Sequence, residues 1–359
     1  MSADPLRDDL IEQVLARAPS LTVGVLGDLF LDRYLDIDAR LTEPSLETGL
    51  DAYQVVKVRS VPGAAGTVIN NLVALGVGRV CPIAILGDDG EGHELRQALA
   101  ALKSVDPEHV YSVSGRRTPT YTKPLLYETG KAARELNRLD IKNRAPLPAS
   151  GEDLVLRALA QIWSRLDALL VLDQVSEEDC GVITGRVREA LGERAAADPG
   201  KFVLADSRER IGLFRGVCLK PNRRECLRAI HGQEEGDGAT AARLLAVRCG
   251  RAVFCTVGEK GILIADRVRG EETAVPGYPV HGPIDVVGAG DSTSAGIACA
   301  AAAGLAPAQA AAFGSLVASI TVQQIGSTGT ASPEQVRQRW REVAIEAGGE
   351  TPPLRSGNP

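Results

Sequence analysis

From about residue 150 the chain alternates short apolar runs with longer amphipathic ones, and few folds accommodate that rhythm. Periodicity predicts helices over 153–165, 178–194 and 239–248, and another after Asn222. Between them lie apolar runs of strand length at 168–172, 202–205, 217–219 and 252–256. A strand that is apolar throughout is buried on both faces, so such strands pair in parallel beneath helices. The expected fold class is α/β, three layers with a mostly parallel central sheet covered by helices.

The first half is less regular. A helix is predicted over 9–18 and a buried strand over 21–26, ending at Gly27-Asp28. A helix over 63–75, a strand over 79–86 and a helix over 91–102 follow. Residues 33–61 alternate apolar and polar, clearest in Tyr53-Gln54-Val55-Val56-Lys57-Val58, and 120–127 and 133–141 are also strand-like. These segments, within about 33–61 and 118–141, are expected to form a second, small sheet inserted into one domain spanning 1–345. The end is nearly all helix, over 291–304, 307–324 and 333–346. The Gly- and Pro-containing stretch 346–359 reads as a flexible tail.

Bulk properties exclude several classes. A net charge of −6 offers no basic stripe to offset nucleic-acid phosphates. No apolar run reaches the roughly 18 residues a membrane helix needs, so no membrane partner is expected. Met1 to Asp9 carries no basic and apolar leader, and a cytoplasmic location is expected. The 7 cysteines include no C-x-x-C pair and read as reduced core residues. The 4 histidines include no H-x-x-x-H pair.

Chemistry concentrates in Ile284-Asp285-Val286-Val287-Gly288-Ala289-Gly290-Asp291-Ser292, which runs into a small-residue helix. Helix-start N–H groups are unpaired and sit at the positive dipole end, so Gly288, Ala289 and Gly290 read as an anion hole. Asp291 beside a bound phosphoryl group fits a general base that takes a proton from an attacking hydroxyl. A lone Gly-Ala-Gly turn is as often a plain strand-to-helix connection; the length of the pattern favours function here.

Three further motifs have both structural and functional readings. Asn222 with Glu225, in Lys220-Pro221-Asn222-Arg223-Arg224-Glu225, is the pattern of a helix capping box. Thr256-Val257-Gly258-Glu259-Lys260-Gly261 is, alone, a hairpin turn. In Gly27-Asp28-Leu29-Phe30-Leu31-Asp32-Arg33-Tyr34 the carboxylates of Asp28 and Asp32 suit a polyol, each able to accept two hydroxyl protons, or a turn cap.

Taken together and in this order, the motifs resemble those of the ribokinase-like (PfkB) carbohydrate kinases over roughly residues 20–340. The form G-D-x-x-x-D-R-Y, with Val56-Lys57-Val58, Leu136-Asn137-Arg138-Leu139-Asp140 and Gly326-Ser327-Thr328-Gly329-Thr330, is most like the branch acting on heptose 7-phosphate in bacterial ADP-heptose synthesis. The resemblance implies a ribokinase-like fold whose small sheet is a lid over the sugar. It also implies an ATP-dependent sugar kinase, with ATP along Lys220, Asn222, Glu225, Thr256, Gly258 and Gly261. Magnesium is then organised by Asn222 and Glu225, largely through water, and a monovalent cation such as K+ belongs to the same expectation. The sugar is implied at Asp28, Asp32, Gly63, Ala64, Thr67 and Arg138, and a homodimer through the lid is expected.

The chain departs from the family where paired glycines and an asparagine usually contact the sugar: it has Gly63-Ala64-Ala65-Gly66-Thr67, with Asn70 and Asn71 one turn later. Arg33, Lys57, Lys123, Arg134 and Arg138 are basic residues suited to a phosphate already on the acceptor. No H-x-G-H motif of a nucleotidyltransferase is present. A non-catalytic sugar- or nucleotide-binding regulator is the alternative, and it predicts loss of Asp291 or its glycines. A dinucleotide-dependent oxidoreductase predicts G-x-G-x-x-G after the first strand, which Gly24 to Asp28 does not supply.

Overall fold

A computed structural model describes residues 5–266, 271–326 and 328–346. Among these residues the strands are β1 (Thr22–Gly27), β2 (Leu29–Asp38), β3 (Glu43–Pro44), β4 (Asp51–Ala52), β5 (Val55–Ala64), β6 (Arg79–Gly87), β7 (His109–Val113) and β8 (Thr120–Tyr127). They continue with β9 (Arg134–Glu135), β10 (Leu139–Ile141), β11 (Ala168–Asp173), β12 (Phe202–Ser207), β13 (Cys218–Leu219), β14 (Val253–Thr256), β15 (Ile262–Asp266) and β16 (Glu271–Val275). The helices are α1 (Asp8–Arg17), α2 (Ala65–Ala74), α3 (Gly90–Ala100), α4 (Ala149–Ile162), α5 (Gly185–Ala197), α6 (Arg223–His231), α7 (Gly238–Cys249), α8 (Ala289–Ala302), α9 (Pro307–Thr321) and α10 (Pro333–Glu346).

The large sheet has the order β16-β15-β14-β13-β12-β11-β1-β6-β7. Its strands are parallel from β14 to β7, and β15 and β16 add antiparallel at one edge. Period-2 alternation divides the core in two. Val23, Val25, Leu170 and Leu172 face α1, α2, α8 and α9, while Leu26, Leu169 and Val171 face α4, α5 and α7. Burying both faces is why these strands read as continuous apolar runs.

Chain order reverses between β1 and β11, the point where open α/β sheets bind ligands beyond the carboxyl ends of their strands. Gly27 makes that junction possible. Its φ is +153°, and a Cβ there would lie 2.2 Å from the Leu172 carbonyl oxygen. The inserted segments form a separate sheet, β10-β8-β2-β5, with β9 on β8; β3 and β4 pair only with each other.

Several boundaries differ from expectation for identifiable reasons. The helix expected from 178 starts at Gly185. Residues 178–184 are irregular because the Asp28 carboxylate takes the Val182 N–H, Asp179 adopts φ +53°, and Thr184 caps the Val187 N–H. The helix expected from 63 starts at Ala65, since Gly63 and Ala64 still pair with Phe30 and Leu29. Strands β7, β15 and β16 were not anticipated by periodicity. All 7 cysteines are free and buried. Among the described residues no helix is long and apolar enough to cross a membrane. The expected flexible tail lies, from residue 347 on, outside the described residues, as does Ser327.

Candidate active site

Helix α8 brings the anion-hole residues to the sheet. It is built from small residues, so it packs tightly on α9; a Cβ on Gly296 would lie 2.8 Å from Gly314 Cα. Gly288, the residue before the helix, has φ +81°. That backbone favours glycine, although a Cβ there would meet the methyls of Thr67 and Thr328 at an ordinary 3.4 Å. Asp285 secures the approach: one oxygen takes the Val287 N–H at 3.0 Å, the other the Gly326 N–H at 3.3 Å. Among the described residues no acceptor meets the N–H groups of Gly290 and Asp291. They are the open donors of a helix start.

A cleft of about 280 Å³ opens at this helix start. Gly288, Gly290 and Asp291 line one side, and the strand ends line the other with Asp206, Lys220, Asn222, Glu225 and Thr256. The Lys220 ammonium is buried and lies 2.8 Å from Asp206 Oδ2. Burial lowers its pKa, but Asp206, Glu225 and Asp291 together more than offset this and the net shift is upward. Burial pushes the Asp291 carboxyl up to about 7; Asp206 adds to this, while Lys220 and Arg208 oppose it. Burial and then Asp206 also raise Glu225. The cleft thus holds three carboxylates, and one of them is paired with a buried lysine.

Asn222 and Glu225 form the capping box of α6. The Asn222 side chain accepts the Glu225 N–H at 2.9 Å, and Glu225 Oε2 accepts the Asn222 N–H at 2.7 Å. Both also face the cleft, so capping and ligand contact are compatible rather than exclusive. Thr256 is adjacent because its N–H donates to the Pro221 carbonyl. Gly258 and Gly261 sit in the β14–β15 turn at φ +64° and +93°, and a Cβ on Gly261 would lie 2.1 Å from the Val275 carbonyl oxygen. The turn geometry accounts for both glycines, and neither lines the cleft.

On the small-sheet side the two aspartates of the first motif part company. Asp28 is buried, and its oxygens accept the N–H groups of Gln174, Val175 and Val182 at 2.7–3.1 Å. It ties β1 to the loop after β11, which corrects the expectation of a sugar contact there. Burial and the neighbouring Asp173 push its carboxyl up to about 6. Asp32, four residues on, pairs with Lys123 at 3.1 Å and adds to the field at Asp291. Gly63 gives Asp32 its place: a Cβ on Gly63 would lie 2.8 Å from the Asp32 carboxyl carbon.

Ala64 stands at φ +52°, ψ −117°, a conformation that favours the glycine usual in the family. Thr67 is buried with its methyl near Gly288, so it supports the anion-hole loop. Asn71 does not take the place of a sugar-binding amide: it is fully buried, and its amide donates to the carbonyls of Thr67 and Gly329. Arg138 lies over the Tyr121 ring and pairs with Asp140 at 2.7 Å. Arg33 pairs with Glu91 and Glu94. Three of the five basic residues read as phosphate ligands, Arg33, Lys123 and Arg138, therefore already have acidic partners.

The sequence motifs give no role to Asp206, Gln174 or Arg208, which also line the cleft. Asp173, at an adjacent strand end, is instead consumed by Arg210 and Ser207.

The model of the pfkB family carbohydrate kinases matches residues 30–335. Curated proteins named bifunctional protein HldE are similar: that of Trichlorobacter lovleyi is 30% identical over 91% of this chain, and that of Geotalea uraniireducens 32% over 91%. The chain spans 64% of the length of each. Among solved structures, ribokinase from Arabidopsis thaliana, complexed with ribose and ATP, superposes with a TM-score of 0.63 at 18% identity, covering 89% of this chain and 98% of that one. Ribokinase from Thermotoga maritima gives 0.61 at 20% identity, covering 89% and 99%.

Proposed function

The chain belongs to the pfkB family of carbohydrate kinases, and on that premise we propose that it transfers the γ-phosphoryl group of ATP to a hydroxyl of a sugar phosphate of the heptose 7-phosphate class. One observation carries the reading of the site. At a single cleft, two unpaired helix-start N–H groups meet a carboxyl pushed up to about 7 and a buried lysine. Phosphoryl transfer needs little else from a protein than positioning, a base and donors aimed at the phosphoryl oxygens.

In this account Asp32 accepts hydrogen bonds from the sugar and holds it beneath the small sheet. Asp291 takes the proton of the attacking hydroxyl, and its pKa near neutrality suits that task. The Gly290 and Asp291 N–H groups and Lys220 steady the charge on the transferring group. The carboxylates of Asp206 and Glu225 repel each other across the cleft and offer only oxygen donors, which fits magnesium. Asn222 and Glu225 would hold it, and when bound it offsets the negative charge of the phosphates.

The small sheet serves as lid and as contact for a second copy of the chain. Val56 and Val58 are 57% exposed and Leu139 62%, apolar surface of the kind an interface covers. A monomer by light scattering at micromolar concentration removes the dimer. The acceptor's phosphate rests on the heptose-kinase likeness, with Lys57 and Arg134 as the cations for which no acidic partner is seen among the described residues. A sugar- or nucleotide-binding regulator would tolerate loss of Asp291 or its glycines, and both are present.

The experiment is a screen of ATP consumption against sugars and their phosphates. The expected result is turnover with a heptose 7-phosphate and little with neutral sugars. Equal turnover of a neutral sugar overturns the acceptor class. Failure of every acceptor overturns the kinase assignment.

A further inference from the structure

Among the described residues, one cation lining the cleft forms no ion pair, although its charge acts on Asp291. Lys220 is committed to Asp206. Arg210, at the same strand end as Arg208, spends its guanidinium on Asp173 and on the carbonyls of Val175 and Ser176. Arg208 is different. Its Nε donates to the Gln174 amide oxygen at 2.7 Å, a neutral partner, and no acceptor is seen for its two terminal nitrogens among the described residues. The residue is solvent-exposed and lines the cleft with Gly290 and Asp291.

Its placement is fixed from behind. The Arg208 N–H donates to the Asp173 carbonyl at 3.2 Å, and Arg228 donates to the Arg208 carbonyl. Gln174 is fixed in turn, because its N–H donates to the buried Asp28 carboxylate at 2.8 Å. A chain of contacts therefore runs from Asp28 through Gln174 to the guanidinium of a cleft-lining residue, with its two terminal nitrogens left open. Such a fork is matched to two oxygens of one phosphoryl group. A charged side chain held by backbone and by a second layer of polar contacts pays little reorganisation on binding.

We infer that Arg208 is a further catalytic residue, which binds the γ-phosphoryl group of the nucleotide through its terminal nitrogens, with Gln174 as its positioning residue. This rests on the kinase reading and deepens it. The helix start of α8 supplies partial positive charge only, and the buried lysine is paired with Asp206; Arg208 brings a full positive charge to the oxygens of the phosphoryl group as it leaves ADP. Proton transfer to Asp291 is unchanged by the assignment.

The test separates the γ-phosphate from the rest of the nucleotide. Titrations with ADP and with the non-hydrolysable imido analogue of ATP, both with magnesium, are run on the wild type, Arg208→Gln, Arg208→Lys and Gln174→Met. For Arg208→Gln the analogue should bind about tenfold more weakly, with ADP affinity held within about twofold. Turnover with the acceptor found by the screen should fall about 100-fold, and Arg208→Lys should recover part of it. Gln174→Met should show a smaller loss that disappears in the Arg208→Gln background, because the two act through one contact. Equal weakening of ADP and analogue, or no change in either, overturns the inference while leaving the kinase intact. A wild-type protein that binds neither nucleotide overturns both.

Discussion

The wall of the cleft and the small sheet are built on different electrostatic terms. Where the strand ends of the large sheet meet α8, negative charge is in excess: Asp206, Glu225 and Asp291 face the buried Lys220 and the exposed Arg208, and two of the three carboxyls are pushed upward. The small sheet is balanced instead, with Asp32 on Lys123, Asp36 on Arg59, Arg33 on Glu91 and Glu94, and Arg138 on Asp140. Unbalanced charge at a folded site is sustained for a ligand that completes it, which in the proposed function is magnesium with a polyphosphate. Balanced pairs carry less information, because they serve stability and sugar contact alike. That is why the phosphoryl-transfer half of this protein reads more clearly than the acceptor half.

The sharpest internal contrast is between Asp28 and Asp32. Asp32→Asn should raise the acceptor KM about 10- to 100-fold while the KM for ATP holds steady, since a charged hydrogen-bond acceptor is lost at the proposed sugar site. Steady-state kinetics with each substrate varied in turn decide it. Asp28→Asn should instead lower unfolding stability by about 1–3 kcal/mol in a denaturant titration, because one amide oxygen cannot serve all three N–H donors. Its acceptor KM should stay within about twofold. If the effects fall the other way round, the two roles have been exchanged.

Glu225→Gln probes the unbalanced wall more gently. Glutamine keeps the capping box, so melting should be nearly unchanged, while the magnesium concentration for half-maximal activity should rise severalfold. An unchanged magnesium titration would leave Glu225 as a cap alone. The smallest effect is expected at the base of the small sheet. Ala64→Gly should stabilise the protein by about 1 kcal/mol, since it relieves positive-φ strain that exceeds the added freedom of the unfolded chain. A loss of stability would mean that the alanine methyl makes a contact worth more than that strain.

The same contrast explains what the sequence disclosed. The central sheet was legible because its strands are buried on both faces and read as unbroken apolar runs, as in Ala168–Asp173. The helix start that carries Gly290 and Asp291 was legible because small residues and a helix start must lie together along the chain. Residues assembled across the chain were not. Gln174 and Arg208 are polar residues in loops, and only the order of β11 and β12 in the sheet brings them together. Asp28 misled for the opposite reason: a carboxylate after a glycine at a strand end suits a sugar, but the irregular loop 174–184 closes over it. No local pattern announces that closure. Edge strand β15 does carry an apolar run, Ile262-Leu263-Ile264-Ala265, overshadowed by the glycine turn before it, whereas β16 has no such run.

The account stands most directly on Asp291 as the base, and the pH dependence of kcat/KM in the wild type and in Asp291→Asn tests it. The Asp291 carboxyl is raised above the ordinary range, so it is protonated and unable to accept a proton as pH falls through about 7. The wild type should therefore lose activity on the acid side of neutrality and reach a plateau above it. The Asn variant should be about 10²–10⁴-fold slower across the range and lack that acid limb. Near-wild-type turnover in the variant, or the same acid limb in both, would contradict the assignment.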